Sequence, residues 1–433
     1  MSKSISGIKI SRLLYWVILL YAFALPLYKH LIPYVIAVWI VLWLIQGDYK
    51  KHFKHLVNSK LLFVLFGFFL LHVFSLFYSD NQNEALSDLQ VKLPIFLMPL
   101  LLITSIDFHA YKFKNVFRSF TIGNFLAAII CLAYAIYRSL SYQNGILEFD
   151  ATVLDNGYSF FQSVNYGGNY FFYVEFSVFH HPSYFSMYIG LSIVFLLYEI
   201  INFRKFRTGS LQLAGQIALL TFFLFIVFLL NSRAGIIAVS LVALSSLISL
   251  AIRKLKPIVV IMFLAIVGLF IVTVSYSYRF RSISEMNFAR EEIQPEKADG
   301  SELRLMLWYS TIELIKDHPV YGTGIGDSHD LQLEYYTETG LKRAAEKRMN
   351  AHNQFLDTSL ELGIPGFFLL LFLFIGALIL ALKQRSFLLI QFLILVLISF
   401  TFESMLNTQS GVQFFSFFYS FLVLAVQRNK QFD

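Results

Sequence analysis

Residues 352–382, HNQFLDTSLELGIPGFFLLLFLFIGALILAL, contain the transition that decides the fold of this chain. The stretch begins with polar residues, and from Ile364 to Leu382 it contains no charged residue. About 20 mostly apolar residues are enough for a helix to cross the hydrocarbon core of a bilayer. The stretch therefore predicts a polar loop that ends at a membrane surface and continues directly into a spanning helix.

The rest of the chain has the same apolar character. Of its 433 residues, 57% are hydrophobic and only 14% are charged. The apolar runs are continuous rather than alternating, which excludes a transmembrane barrel and predicts an all-α polytopic membrane protein with about twelve transmembrane helices. We place the spans near 12–28, 31–46, 61–78, 93–106, 116–137, 183–201, 211–230, 235–252, 257–278, 364–382, 386–403 and 412–427.

Basic residues mark alternate connections between these spans. Short cytoplasmic loops of membrane proteins are enriched in Lys and Arg, so this alternation places both termini in the cytoplasm. The net charge of +7 then reflects membrane topology, and no nucleic-acid partner is predicted. The basic groups are Lys3, Lys9 and Arg12; Lys50, Lys51, Lys54 and Lys60; Lys112, Lys114 and Arg118; Arg204, Lys205 and Arg207; Arg253, Lys254 and Lys256; Lys383 and Arg385; and Arg428 and Lys430.

Three parts of the chain follow from this topology. Residues 1–278 hold the first nine spans, with an outer loop near 139–180. Residues 279–363 form a large outer loop that contains the candidate catalytic residues, and residues 364–433 hold the last three spans and a cytoplasmic tail. Apolar residues at helical spacing predict a helix over 301–316 and another over 341–362 that runs into the membrane.

His352 is the first candidate for chemistry, because it stands where the outer loop enters the membrane. One alternative is an interfacial histidine that is hydrogen-bonded to backbone. Its polar neighbour Asn353 favours a functional role, and so does Arg348, which lies four residues earlier and would share a face of the predicted helix. An imidazole exchanges a proton near neutral pH without a metal.

Two arginines stand at other junctions on the same side. Arg233 lies between two apolar runs, where a charge is costly unless it is paired or reaches the interface. Its side chain either extends to the membrane surface or binds an anion. The short outer loops contain almost no other cation, which favours a bound anion. Arg304 belongs to an amphipathic segment and could equally pair with an acid such as Glu302. Guanidinium groups bind phosphate oxygens in a bidentate way and keep their charge.

Three further features are weaker. His181 begins a span, where it either lines a site or caps the helix, and capping is the preferred interpretation. Glu403, at the outer end of its span, is predicted to contact an acceptor hydroxyl. Gly322-x-Gly324-x-Gly326 follows no strand, so it indicates a turn rather than a dinucleotide site. No histidine or carboxylate spacing indicates a metal, and neither a metal nor a cofactor is predicted.

These features resemble the superfamily of O-antigen ligases and O-antigen polymerases, which are bacterial envelope glycosyltransferases. The resemblance is strongest over residues 225–425, and no further basic motif can be matched near residue 183. It implies a C-type glycosyltransferase-like fold in the inner membrane, with a helical periplasmic loop that faces the site. Its motifs are Asn231-Ser-Arg-Ala-Gly, Arg304-x3-Trp308, His318-Pro319-x2-Gly322-x-Gly324-x-Gly326, His352-Asn353-x9-Gly363-x2-Gly366 and Gly411-x2-Phe414-Phe415.

The resemblance also implies a reaction. The donor would be a glycan on undecaprenyl diphosphate, Arg233 and Arg304 would bind the diphosphate, and His352 would take the acceptor's proton without a metal. One-step attack would invert the anomeric centre. From their positions, we further expect contact with substrate from five other residues: Arg348, Asn353, Trp308, His181 and Glu403.

The acceptor stays open. The sequence does not separate a ligase acting on lipid A-core or a similar glycolipid from a polysaccharide polymerase or a protein O-oligosaccharyltransferase. A transporter of a lipid-linked anion is a further alternative. That function would favour charged or broken helices at mid-membrane and an internal repeat, and the sequence shows neither.

Overall fold

The structure is a computed structural model that describes residues 2–47, 49–105, 110–143, 145–154, 158–165, 167–202, 209–252, 268 and 293–428. In these ranges almost all regular structure is helical, and the one sheet is a two-stranded hairpin of β1 (Leu140–Gln143) and β2 (Ile146–Phe149). The helices are α1 (Ser2–Ala24), α2 (Ile32–Gln46), α3 (Tyr49–Asn58), α4 (Lys60–Ser75), α5 (Gln82–Lys92), α6 (Pro94–Ser105), α7 (Ala110–Ser139), α8 (Phe160–Asn165), α9 (Tyr173–Phe176), α10 (Pro182–Ile201), α11 (Ser210–Leu230), α12 (Arg233–Ile252), α13 (Gly300–Asp317), α14 (Ser328–Glu338), α15 (Lys342–Glu346), α16 (Gln354–Lys383), α17 (Phe387–Phe402) and α18 (Gln409–Arg428), with a 3-10 turn at Met405–Asn407.

The apolar helices confirm a polytopic all-α membrane protein. Six segments in the described ranges are long and apolar enough to cross a membrane, and five shorter apolar helices accompany them. Each of these eleven segments overlaps one of the predicted spans, and Gln82–Ile103 begins eleven residues before the span predicted at 93–106. The predicted span 257–278 lies outside the described residues, so a total of twelve stays a prediction. The six longer segments are Gln82–Ile103, Phe113–Ser139, Pro182–Ile201, Ser210–Leu230, Gln354–Lys383 and Gln409–Arg428.

Two helices form the centre of the bundle. α10 and α18 are buried along nearly their whole length, whereas the other long spans keep an exposed apolar side for lipid. Aromatic side chains pack them together: the rings of Tyr188 and Phe414 stack with their centroids 5.0 Å apart. Such contacts add to the burial of large apolar surfaces and hold the two helices in one arrangement. The N-terminus of α10 therefore gives the site a rigid base.

A bend in α16 joins the outer segment to the membrane helices. Gly363 has φ +64°, outside the helical region. The bend frees the carbonyl groups of Leu360 and Glu361, which accept the N–H groups of Thr323 (2.8 Å) and Gly324 (3.0 Å). A Cβ at Gly363 would lie 2.3 Å from the backbone oxygen of Val320. The glycine-rich turn predicted at 322–326 is thus confirmed, and its function is to pack backbone against backbone.

The helix predicted over 341–362 is wrong. α15 ends at Glu346, and α16 begins only at Gln354. The break arises because Asn353 acts as an N-cap: its side-chain oxygen accepts the N–H groups of Phe355 (3.0 Å) and Leu356 (3.2 Å), which satisfies donors that a starting helix leaves open. Arg348 and His352 both have positive φ, 46° and 49°. The argument that placed them on one helical face therefore fails.

Candidate functional site

A pocket opens where several helices begin or end together. It encloses about 410 Å³ of space, part of it open to solvent. Ser183 lies in the first turn of α10, Arg233 begins α12, Gly300 begins α13, and Glu403 follows the last residue of α17. The positive ends of three helix dipoles therefore meet at one pocket, which favours an anion there. The full lining is Tyr173, Ser183, Ser232, Arg233, Ala234, Gly300, Arg304 and Glu403.

Arg233 points into this pocket. The turn before it contains Asn231 in the left-handed conformation, with φ 45°, and Gly235 brings α12 against α10: a Cβ there would lie 2.1 Å from Ser186 Oγ. The Arg233 Nη1 donates a hydrogen bond to Ser301 Oγ on α13. The guanidinium thus lies between α12 and α13 on the pocket wall.

Arg304 lies one turn further along α13 and reaches the opposite carboxylate. Its Nη2 is 3.6 Å from Glu403 Oε1. Its Nε is buried and has no hydrogen-bond partner among the described residues. An unsatisfied buried donor on a charged group costs free energy, so this edge of the guanidinium favours an additional acceptor.

Glu403 is the centre of the polar network. It is nearly fully buried, and its two oxygens are engaged separately: Oε1 accepts from Ser183 Oγ at 3.0 Å, and Oε2 is 2.9 Å from His352 Nδ1. Burial alone would raise the pKa of this carboxyl. The hydrogen bond to His352 and the charges of His352, Arg304 and His181 outweigh burial and lower its pKa below the ordinary value. Glu403 is therefore ionised at neutral pH.

The pairing defines which nitrogen of His352 carries the proton. An ionised carboxylate can only accept, so in neutral His352 the Nδ1 holds the hydrogen and Nε2 keeps its lone pair. The backbone of the same residue is fixed by a hydrogen bond from its N–H to Asn350 Oδ1 (3.1 Å). The side chain remains partly exposed, at 29%. A partly exposed imidazole with a carboxylate on Nδ1 and, among the described residues, no hydrogen-bond partner on Nε2 has the arrangement of a general base.

The structure brings together four of the residues singled out in the sequence. Arg233, Arg304 and Glu403 line one pocket, and His352 joins it through Glu403. These residues span 171 positions, from 233 to 403. The imidazole and the two guanidinium groups thus share one end of the bundle.

Two further candidates lie beside the pocket without lining it. Trp308, one turn beyond Arg304, has its ring centroid 6.4 Å from that of Phe402. Its buried Nε1 has no hydrogen-bond partner among the described residues. His181 caps α10 by accepting from the N–H of Ser183 at 3.4 Å, as preferred from the sequence. Its ring centroid lies 5.9 Å from that of Tyr173 on the pocket wall.

Two candidates are placed elsewhere. Arg348 is exposed on the turn after α15 and does not line the pocket. Its carbonyl oxygen lies 3.1 Å from His329 Nε2. Asn353 uses its side-chain oxygen to cap α16. The side chain of Asn353 thus serves the start of α16, and Arg348 lies away from the pocket lining. Contact of either residue with substrate stays a prediction.

Several pocket residues were missed in the sequence. Ser232 belongs to the motif Asn231-Ser-Arg-Ala-Gly and Ser183 follows the candidate cap His181 by two residues, so a hydroxyl next to a candidate cation or cap could have drawn attention to them. Tyr173 and Gly300 lie in segments without any such signal. Among the residues that the structure describes, no cluster of three His, Cys, Asp or Glu side chains has a geometry that could hold a metal ion.

A comparison with known protein families gives a match to the central part of the chain. A family model described as O-antigen ligase matches residues 217–371. This range contains Arg233, Arg304 and His352, and ends before Glu403. No curated protein matches the chain. The resemblance drawn from the motifs is thereby confirmed.

Proposed function

We propose that this member of the O-antigen ligase and O-antigen polymerase superfamily transfers a glycan from undecaprenyl diphosphate to an acceptor hydroxyl. The reaction would take place at the periplasmic face of the bacterial inner membrane. The observation that supports this best is the meeting of Arg233, Arg304 and the His352–Glu403 pair at one pocket. The first choice of acceptor is lipid A-core or a similar glycolipid, as in a ligase.

The donor's diphosphate would bind between the two arginines. Guanidinium groups match phosphate oxygens in geometry and hold a permanent charge. Glu403 offsets part of the charge of Arg304, with which it is paired at 3.6 Å, and three helix N-termini add positive potential. Negative charge on the diphosphate grows as the glycosidic bond breaks, so these groups stabilise the transition state more than the bound substrate.

The acceptor hydroxyl would be activated by His352. As its oxygen attacks the anomeric carbon, its proton passes to His352 Nε2 and the bond electrons leave with undecaprenyl diphosphate. The imidazolium that forms keeps its Nδ1–H on Glu403 Oε2, 2.9 Å away, and gains stability from the carboxylate. One displacement of this kind inverts the anomeric centre. No step requires a metal ion.

Arg304 would connect the two halves of the reaction. It contacts Glu403, which orients the base, and it lies on the wall where the leaving diphosphate would bind. The geometry of attack depends on the relative position of base and leaving group, and small displacements have large effects on rate. One rigid guanidinium that contacts both Glu403 and the diphosphate would keep the distance between the base and the leaving group constant.

The direct test uses the purified full-length protein in lipid nanodiscs. It receives an undecaprenyl-diphosphate glycan together with a lipid A-core acceptor, a second lipid-linked glycan or an unfolded acceptor protein, and products are analysed by mass. Glycosylated lipid A-core with release of undecaprenyl diphosphate is expected. Product with only one of the other acceptors would assign polymerase or protein O-oligosaccharyltransferase activity.

A transport assay separates the remaining alternative. The same protein in liposomes is given fluorescent lipid-linked donor in one leaflet. Movement of the donor to the other leaflet, with no product from any acceptor, would contradict the proposed transferase. The positions of the charged pocket residues at helix ends, rather than at mid-membrane, support the transferase.

A further inference from the structure

The hairpin of β1 and β2 has two chemically different faces. β1 begins at Leu140, directly after the last residue of α7, and pairs antiparallel with β2. Leu140 stands opposite Phe149, and Tyr142 stands opposite Leu147. Side chains alternate between the two faces of a strand, so these four share one face, and Ser141, Glu148 and Ile146 lie on the other, which is mixed in character. We call Leu140, Tyr142, Leu147 and Phe149 the apolar face.

No residue in the described part of the chain covers the apolar face. The exposed fractions of Leu140, Tyr142, Leu147 and Phe149 are 41%, 75%, 65% and 59%. A two-stranded hairpin is only marginally stable in water by itself, and contiguous exposed apolar surface usually marks a surface of interaction. The hairpin therefore indicates a partner that accepts apolar and aromatic side chains.

The position of the hairpin indicates what that partner is. α7 includes a candidate membrane span, Phe113–Ser139, and its exposed apolar residues extend to its last turns, where Tyr134 and Tyr137 are exposed. Tyrosine side chains at the end of a span are typical of the membrane–water interface. Because no residue separates α7 from β1, the hairpin leaves the helix at that interface.

A second aromatic group continues the same surface. The ring centroid of Phe149 is 6.2 Å from that of Phe171, which is 6.4 Å from that of Phe160. The adjacent Phe161 is among the most exposed aromatic residues of the described chain. The apolar face thus belongs to a wider aromatic surface at this end of α7.

We infer that the apolar face lies in the interfacial region of the bilayer, on the leaflet where α7 ends. The free edges of the hairpin carry unpaired backbone groups, which hydrocarbon cannot satisfy. The hairpin therefore lies on the bilayer with Leu140, Tyr142, Leu147 and Phe149 towards the acyl chains and Glu148 towards water. Contact with a second copy of the chain would not require the apolar face to continue directly from the end of a spanning helix, whereas contact with the bilayer does. The inference rests on the membrane fold and not on glycosyl transfer.

This attachment also bears on the pocket. Arg138, at the end of α7, pairs with Glu175 at 3.0 Å and lies 4.1 Å from the ring centroid of Tyr170. These contacts fix the segment that contains Tyr173, a residue of the pocket wall. A hairpin that rests on the membrane would hold this wall close to the lipid surface from which a lipid-linked substrate arrives.

Adjacent residues on opposite faces allow a matched test. Leu147→Cys and Glu148→Cys are made in a Cys131→Ala background and labelled with an environment-sensitive fluorophore. The full-length proteins are placed in phosphatidylethanolamine–phosphatidylglycerol vesicles. We expect the label at 147 to emit at shorter wavelength and to be quenched by lipids with a nitroxide near the headgroup. The label at 148 should instead be quenched by aqueous iodide.

The possible outcomes separate the partners. Equal iodide quenching of both labels would overturn the inference, because the apolar face would then be in water. A blue shift at 147 that appears only at high protein density, without quenching by nitroxide lipid, would assign the face to a second copy and also overturn it. If Leu147→Cys fails to insert, Tyr142→Cys on the same face replaces it, and the label must behave as expected for 147.

Discussion

At the scale of single residues, the carboxylate of Glu403 has protein partners that the sequence did not indicate. The structure pairs it with His352, Ser183 and Arg304, and its contact with an acceptor hydroxyl stays a prediction. A buried carboxylate with three partners is held in one orientation, and that orientation defines the tautomer of His352. Its contribution to the reaction would therefore act through the base.

Glu403→Gln is expected to reduce turnover nearly as much as His352→Ala. Glutamine retains the shape, but its amide can donate to His352 Nδ1 and so place the proton on Nε2, where the base needs its lone pair. Loss of a positioned base costs about two to four orders of magnitude in rate. Turnover by mass analysis and donor binding by fluorescence are compared with Ser183→Ala, which removes only one hydrogen bond. Full activity of Glu403→Gln would show that the pair is structural.

Arg233→Lys is expected to lose most activity although the charge is kept. A planar bidentate donor is replaced by a point charge that cannot match a diphosphate in the same way. Arg118→Lys is the matched control, because Arg118 pairs with Glu199 at 2.7 Å outside the pocket. Turnover of both variants is measured at equal membrane insertion. Equal activity of Arg233→Lys and wild type would assign Arg233 to anchoring of the helix.

Activity is expected to fall on acidification, because a protonated imidazole cannot accept the proton of the acceptor hydroxyl. The pKa of Glu403 is lowered, so this carboxyl stays ionised through the ordinary carboxyl range and does not cause the fall. Its stabilising contribution is present above the ordinary carboxyl pKa and disappears only as pH falls through the lowered pKa. As the pH is lowered, the rate should therefore decline before the temperature midpoint of thermal unfolding begins to fall. Coincident declines would assign the loss to unfolding.

Chelation of divalent cations should leave the rate unchanged, since the arginines carry the charge that a metal would supply. The measurement is turnover with and without excess chelator, followed by addition of magnesium or manganese. Complete loss that either metal restores would contradict the proposed mechanism.

At the scale of elements, the bend of α16 is a glycine-dependent joint. Gly363→Ala is expected to destabilise the protein by at least about 2 kcal/mol, since positive φ strains a side chain and the new Cβ would lie 2.3 Å from Val320 O. Thermal unfolding in detergent measures the effect. Gly67→Ala in α4 is the control, because a Cβ there meets nothing within 4 Å. Equal midpoints for both variants would show that the bend adapts.

At the scale of the whole molecule, an ion pair ties distant parts of the chain together. Lys92 at the end of α5 is fully buried, contacts Asp88, and lies 3.3 Å from Glu361 Oε2 on α16. Asn407 donates to Glu361 Oε1 at 3.1 Å, which connects this pair to the segment that follows Glu403.

Lys92→Met is expected to destabilise the protein by about 3–5 kcal/mol, because it leaves the buried Glu361 and the partly buried Asp88 without their cation. The double variant Lys92→Met/Glu361→Gln should recover part of the loss, since one of those carboxylates becomes neutral. The midpoints of thermal unfolding of the single and double variants measure both effects. A double variant less stable than Lys92→Met would contradict the pairing as the source of the effect.

Much of the architecture was predictable from the sequence, because each span depends on the transfer free energy of its own residues. The eleven described apolar helices lie where hydropathy placed them. The glycine turn at 322–326 was also predictable, since few residues other than glycine adopt positive φ. Arg233, Arg304 and His352 could be singled out because charged and titratable groups at span ends are uncommon, and their chemistry is independent of the fold.

The tertiary structure alone decided how these groups are paired. Arg348 and Asn353 had the same polar signal as His352, but a helix cap and a turn place them outside the pocket. Glu403 meets His352 across 51 residues, and Ser183 meets Glu403 across 220. Such contacts depend on how α10, α13 and α17 pack and on the bend at Gly363. Local sequence determines which groups reach the end of a span, and packing between spans determines which of them meet.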